Sequence, residues 1–498
     1  MLKNNILKNQ SGGMLIMVLV FTTLFAVMAT GIAGVISSQH KLGLKKINWQ
    51  KAIATAEAGV NYYRWHLAHA PEDYQDGTGQ AGPYVHDYKD NLGNSIGQFS
   101  LNITAPADTC SNAIIIESTG WLNDDPNVKR KVMVKYGKPS LASFAFLTDS
   151  NVWFGEDETL HGPVHSNGGI RMDGQNDSLT TSKKSTYICG LEHSCTQQNC
   201  NSLGYGCHWV AGDGCTCPGI WGVGGDQSLW QFPFDNINFD AITMELRDLR
   251  DLAQASMCSA TEDCYWPQLG QGYHLVFKND GTFDIYRVTQ LKNPVWGHDG
   301  EAWVRDTDDI DRENLIGNYT IPASCGIIFV EDNLWVNGIV RGKATVVAAK
   351  IPEAGSKIKI RINGNLTYLE KSGANSLGLI SQTDILIPLY GAPNNLAVDA
   401  ALLAQKGRIF RKLYCYNCKK PVPYDARNYI IRDSIVIYGS IISNGIWTWT
   451  WVSGGAVISG YRDTNTIYDP NLNYNPPPGF PTTGDRKLLK WEETTEKP

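Results

Sequence analysis

The chain has 498 residues, 18% of them charged, with a net charge of −6, 49 glycines and 12 cysteines. That balance excludes a generally basic nucleic-acid surface, so no nucleic acid is expected as a partner. The length is enough for about two or three domains.

A polar leader carrying Lys3 and Lys8 ends in Ser11, Gly12 and Gly13, and residues 14–36 then contain no charged side chain. At 1.5 Å per residue a helix of that length covers roughly 34 Å, enough to cross a hydrocarbon core of about 30 Å. No proline occurs before Pro71, and Leu44, Ile47, Ala52, Ala56, Val60, Tyr63 and Leu67 recur at helical spacing. The periodicity predicts that the membrane helix continues as an amphipathic stalk, one helix over 14–70 and about 85 Å long. A cleaved signal peptide would have a shorter apolar region with its cleavage site behind it, whereas this run feeds straight into more helix. A permanent membrane anchor is the other reading. Lys41, Lys45, Lys46 and Lys51 follow the span, and counted alone they would keep the bulk of the chain in the cytoplasm.

Strands are predicted at 99–103, 113–117 and 128–136, which with the helix make a helix-on-sheet head over 71–141. From 142 to 498 the texture changes to short β-branched runs punctuated by glycine and asparagine. Examples are 326–330, 334–336 before Asn337-Gly338, 344–348, 358–362 before Asn363-Gly364, 434–442 before Asn444-Gly445, and 456–459. Each is too short for a helix and ends in turn chemistry. The interval from Asn363 to Asn444 is close to three times that from Asn337 to Asn363. The expected fold class is mainly β with a long N-terminal α-helix. A stalk and head would be followed by a β-helix or β-solenoid whose coils bury their apolar faces against each other; a β-sandwich is the alternative. One amphipathic helix interrupts this region at 239–254, with Ile242, Leu246, Leu249 and Ala253 on one face and Asp240 near its start. The turn Lys278-Asn279-Asp280-Gly281-Thr282 predicts a hairpin between 273–277 and 283–288.

Six cysteines, Cys189, Cys195, Cys200, Cys207, Cys215 and Cys217, crowd into a Gly-, Asn- and Ser-rich insertion at 186–220. The cluster lacks the paired C-x2-C half-sites of zinc modules and reads as a disulfide-stapled loop outside the cytoplasm, with its connectivity open. Cys258 and Cys264 form another expected local pair. Cys415 and Cys418 form one C-x2-C, read first as a structural disulfide, with zinc or a redox-active pair as alternatives.

Several clusters could carry chemistry. Polysaccharide lyases and hydrolases are built on β-helices, so Glu156, Asp157, Glu158, His161, His165, Arg171, Asp173 and Asp177 are the residues to examine for a surface-anchored enzyme acting on polysaccharide. Corner turns explain the same residues more simply, and no G-x-S-x-G, H-E-x-x-H or phosphate-binding motif is present. Asp306, Asp308, Asp309 and Asp311, with Glu313, could hold Ca2+ but lack EF-hand spacing, and the solvated-loop reading is preferred. If 446–451 is a strand, Trp447, Trp449 and Trp451 share one face. They could then stack on sugars, although core paving is the commoner fate of large aromatics. The tail at 475–481, with Pro476, Pro477, Pro478 and Pro481, reads as an extended strap.

The glycine-ended leader, the apolar helix and the segment Ala54-Thr55-Ala56-Glu57-Ala58-Gly59 resemble the N-terminus of the PilX-like minor pilins of type IV pili. The segments LHGPVHSNGGIRMDG, GIIFVEDNLWVNGIVRGKATVVAA, LGLISQTDILIP, DAALLAQKG and YDPNLNYNPPPGFPTTG resemble the long passenger regions of large PilX-like pilus assembly proteins. The resemblance implies cleavage after Gly13 by a prepilin peptidase, leaving Met14 first, or after Gly12. It also implies that the helix packs in the filament core, with Glu57, Ala58 and Gly59 in that packing. Most pilins carry a glutamate five residues after the cut, where this chain has Val18 or Met17. The departure points to a tip-located or initiating subunit, serving pilus assembly or adhesion without catalysis. Its expected course is the cytoplasmic membrane with an extracytoplasmic ectodomain, then the cell-surface pilus. Other pilin subunits, and surface glycans or host receptors, would be its partners.

Overall fold

The computed structural model describes residues 11–106, 110–111, 113–156, 158–239, 242–352, 355 and 357–494. They fall into two compact units, one within 1–105, 114–136 and 490–498 and the other within 106–113 and 137–489.

The smaller unit begins with helix α1, Ser11–His69. The continuous helix follows from the absence of proline before Pro71 and from the long run of good helix formers. Side chains 13–47 are exposed all round. From there a stripe of Ala52, Ala56, Val60, Tyr63 and Leu67 is buried. The stripe packs on a sheet of β1 (Tyr84–Lys89), β2 (Ser95–Thr104), β3 (Ile114–Leu122) and β4 (Asp125–Gly137), an antiparallel meander. The strand Lys487–Thr494 lies beside β4 at the far edge. β3 alternates buried and half-buried residues along its whole length, the period of a strand with one face on a core. Phe99, Leu101, Ile114, Ile116, Val132 and Val134 meet the helix stripe, each worth about 1.5–3 kcal/mol of burial. Contact is closest at Gly120, where a Cβ would stand 2.5 Å from the Ala52 carbonyl oxygen. Helix backbone therefore rests directly on β3.

The larger unit is a stack of parallel coils. In one ladder Tyr265–Trp266, Ile327–Val330, Lys343–Ala348, Ser376–Ser381, Asn395–Ala404 and Ile431–Ser443 pair in succession, all parallel. A second ladder joins Tyr273–Phe277, Leu334–Val340, Ile360–Tyr368, Ile385–Leu386 and Ile409–Phe410. A third links the later halves of Leu334–Val340 and Ile360–Tyr368 to Asn395–Ala404, Ile431–Ser443 and Ala456–Tyr468. The order of stacking is not the order of the chain. Phe146–Thr148, the first of these strands in sequence, pairs with residues 441–443 of the last long coil, and Val164–Ser166, Thr180–Ser182 and Trp230–Gln231 continue the ladder from there. Strands buried on both sides read as near-continuous apolar runs, as in Ile327–Val330.

Several expectations need correction. Asn337-Gly338 and Asn363-Gly364 do not end strands but lie inside Leu334–Val340 and Ile360–Tyr368, where the register shifts at the corner between two ladders. Asn444 follows the first ladder and so occupies a different corner, which removes the apparent period. A linear division at 141/142 also fails: residues 106–113 pack with the larger unit, and the last strand returns to the smaller one. Chain continuity alone could not reveal either excursion, because both depend on pairing across hundreds of residues.

The interrupting helix is α2, Ile242–Ala255, with Ile242, Leu246, Leu249 and Ala253 buried; Asp240 lies outside the described residues. Tyr273–Phe277 and Thr282–Leu291 form the hairpin. The proline-rich tail runs as a strap. Its Pro478 carbonyl accepts from the Thr345 hydroxyl at 2.6 Å, its Pro481 carbonyl accepts from the Leu141 N–H at 2.8 Å, and Phe480 is buried.

Candidate functional site

The first half of α1 is the feature with the most direct functional content. Met14, Leu15, Ile16, Phe21, Leu24, Phe25 and Ile32 are each more than half exposed. By length and composition this helix is apolar enough to cross a membrane. Within residues 14–36 the only polar side chains are threonines, and Thr22, Thr23 and Thr30 donate back to carbonyls three or four residues earlier at 2.9–3.0 Å. Their hydroxyls are thus satisfied without water, as an apolar surrounding requires. Gly13 and Met14 lie inside the helix, exposed, as do Met17 and Val18, while leader residues 1–10 lie outside the described residues.

Of Glu57, Ala58 and Gly59, expected in filament packing, Gly59 has a partner within the chain. Gly59 is buried under the chain's own sheet, where a Cβ would stand 2.7 Å from the Phe99 ring. The small residues here let α1 approach β2 and β3. Glu57 is exposed and Ala58 half-buried, so those two remain available to a neighbour.

All twelve cysteines are bonded: Cys189–Cys195, Cys200–Cys215, Cys207–Cys217, Cys258–Cys264, Cys415–Cys418 and Cys110–Cys325. The last pair was not singled out from the sequence, although pairing the other ten locally leaves those two. The insertion folds as a small cystine core around Tyr187 and Trp221. There the Trp221 Nε1–H donates to the Tyr187 hydroxyl at 2.8 Å, which bonds His193 Nδ1 at 2.7 Å. Burial pulls His193 down to about 4, so the ring is neutral.

Of the residues set out for an enzyme, most have structural partners. Arg171 donates to Asp173 at 2.7 Å and to the His193 carbonyl at 2.6 Å, and its guanidinium lies over Trp153 and Trp221. Asp173 also accepts from Trp153 Nε1 at 2.9 Å. His165 is buried between Thr181 and Asn167, and burial lowers its pKa. His161 and Asp177 form an exposed pair at 2.6 Å, and Glu156 and Glu158 are exposed. Asp157 lies outside the described residues.

The acidic run is not a solvated loop, because Asp308 and Asp309 are buried. Asp308 receives Lys412 Nζ at 2.6 Å and Arg361 Nε at 2.9 Å. Burial pushes its carboxyl up, but Lys412 and Arg361 outweigh that and hold it far below the usual range. Asp306 also reaches Lys412, at 3.3 Å, and Asp311 lies beside Arg312. Asp309 instead accepts the backbone N–H groups of Tyr390 and Gly391; burial nevertheless raises its pKa. Charges separated in sequence supply the counter-ions, which the acidic run by itself could not disclose.

The tryptophans form no exposed platform. The strand begins only at Thr450 (Thr450–Ser453), after the chain has turned a corner at Asn444 and Gly445. Trp447 stacks on Phe146 with centroids 4.7 Å apart, Trp449 is buried, and the Trp451 Nε1–H donates to the Arg411 carbonyl at 2.9 Å. Period two fails because the strand does not extend over all three.

Sequence reasoning missed the segment 388–391 and the buried arginines that hold it. Arg411 donates to the Pro388, Leu389 and Tyr429 carbonyls, and Arg432 to the Leu389 and Tyr390 carbonyls and to Asn394. The one available sign was basic residues placed inside β-rich apolar text.

No family model matches the chain, and no curated protein matches it either. Among solved structures, it is similar to the crystal structure of the competence-associated pilin ComZ from Thermus thermophilus, at 13% identity over 90% of this chain and 98% of that one. The TM-score is 0.30, too low for the likeness to carry an argument.

Proposed function

We propose that this chain is a type IV pilin-like subunit of the PilX-like minor class, cut after Gly13 or Gly12 by a prepilin peptidase. Residues 14–36 hold it in the cytoplasmic membrane and then pack against the helices of other subunits in a pilus. The observation that carries this reading is α1. It is one unbroken helix whose first half has apolar side chains on every face exposed and whose second half is the spine of a small antiparallel head. A helix apolar all round is buried in something else, and here that is lipid or a bundle of like helices.

Six disulfides favour an extracytoplasmic ectodomain. Met17 and Val18 give the helix start no carboxylate to offer a neighbouring terminal ammonium. A subunit without it has little electrostatic reason to sit below another, which favours a tip or initiating position and a role in assembly or adhesion without catalysis. Coexpression with a prepilin peptidase and mass spectrometry of the mature N-terminus tests the reading. A start at Met14 or Gly13 supports it; an intact leader, or a cut beyond residue 36, sinks it.

A further inference from the structure

The larger unit has a polar cleft of about 310 Å3 whose lining includes Gln290, Lys292, Asn293, Asp311, Tyr390 and Asp425. These residues come from the end of Thr282–Leu291 and the loop after it, from Ile310–Thr320, from the loop after Ile385–Leu386 and from the helical turn Tyr424–Tyr429. Four separate chain segments converge on it.

What sets the cleft apart is the rigidity of the wall carrying Tyr390. Asp309, buried, accepts both the Tyr390 and Gly391 N–H groups, the latter at 2.6 Å. Behind it Arg411 and Arg432 donate to the carbonyls of Pro388, Leu389 and Tyr390. Burying a carboxylate and two guanidiniums to hold four residues of loop is expensive. Its effect is to fix one aromatic side chain, which packs edge-on to Tyr429 at 5.1 Å and has the Lys292 ammonium 4.8 Å from its centroid. Preorganised support behind a polar, aromatic-bearing cleft is the construction of a recognition site.

The lining defines the ligand. Gln290 and Asn293 amides both donate and accept, Asp311 and Asp425 only accept, and Lys292 only donates. Hydroxyl groups, which do both, match this set. The Tyr390 ring, with Lys292 over it, forms one fixed wall, and a volume of about 300 Å3 is at the small end of ligand pockets. Two carboxylates against one ammonium disfavour an acidic ligand. We propose that this cleft binds a neutral sugar unit of a glycan, with Tyr390 as its fixed wall and Asp425, Asp311, Gln290 and Asn293 as its hydroxyl partners. The proposal deepens, and rests on, the adhesive part of the function above.

The test uses the full chain in detergent and calorimetric titration with the methyl glycosides of glucose, galactose, mannose and N-acetylglucosamine, and with glucuronic and sialic acids. At least one neutral glycoside is expected to bind. Asp425→Ala and Tyr390→Ala should each weaken it by about tenfold or more, whereas Leu191→Ala, an exposed residue of the cystine insertion that does not line the cleft, should leave it unchanged. Asp425 is exposed, so its replacement separates loss of binding from loss of folding. No binding by any neutral glycoside, binding only of the acidic sugars, or binding indifferent to both cleft variants would overturn the proposal. N-terminal processing is read independently: a correctly cut chain that binds no sugar refutes the cleft alone, and an uncut chain that binds one refutes the pilin reading alone.

Discussion

The first half of α1 and the coils of the larger unit are both strongly apolar, yet they treat burial and charge in opposite ways. Residues 14–36 hold no charge and leave their apolar side chains exposed. The coils bury their apolar side chains nearly completely and bury charges among them, Asp308 with Arg361 and Lys412, and Arg411 against carbonyls. The difference teaches where each region finds its partner. The coils are complete within this chain, so they tolerate charge wherever the fold supplies a counter-ion. Residues 14–36 leave their apolar side chains without cover in this chain, and they carry no charge that would need a counter-ion.

The contrast can be broken most severely at Asp308. Asp308→Asn leaves buried Arg361 without its carboxylate and Lys412 with Asp306 alone, and should cost about 3–5 kcal/mol, read as a lowered denaturant midpoint by tryptophan fluorescence; membrane association should be untouched. Gly120→Val places a side chain into the backbone of α1 at residues 52–56 and is expected to cost about 3 kcal/mol. Proteolysis should then open the helix–sheet head while the cystine insertion stays resistant.

The converse experiment is Leu24→Arg. It puts a charge where none is compensated and should penalise insertion by about 2.5–3.5 kcal/mol, moving the chain to the soluble fraction without shifting the unfolding transition of the coils. If the transition shifts as well, the two regions are not independent and the comparison fails.

A smaller effect sharpens it. Glu245 on α2 is half-buried without a close cation, and its burial raises the carboxyl to about 7, against the N–H of Thr482 and the charge of Lys138. The folded state therefore holds this proton more tightly than the unfolded state, whose value is near 4.5. Stability should fall as pH rises from 4.5 to 7 and level off above; the full shift corresponds to about 3 kcal/mol, and solvent screening of this half-buried group reduces it to about 2 kcal/mol. Glu245→Gln should flatten that part of the profile, measured as thermal midpoint against pH.

Local patterns were legible from the residues. The uncharged run and the helical repeat foretold α1, β-branched runs bounded by turn residues foretold strands such as Ile327–Val330 and Ile431–Ser443, and close spacing foretold Cys258–Cys264. Among the candidate sites, the legible part was the apolar helix. The polar cleft was not, because its lining residues come from four separate segments, and of them only Asp311 fell in a cluster the sequence marked, for a different reason.

By itself, then, the sequence determined what short-range forces decide: helix, strand, hairpin, the extended proline strap and the presence of an uncharged membrane-length segment. Tertiary structure alone decided the stacking of Phe146–Thr148 on residues 441–443, the Cys110–Cys325 bond, the return of the last strand to β4, the burial of Asp308 and the splitting of the three tryptophans. Parallel coils explain why. Each strand's partner is a neighbour in the stack, not in the chain, and an apolar run reads the same whichever coil it packs against.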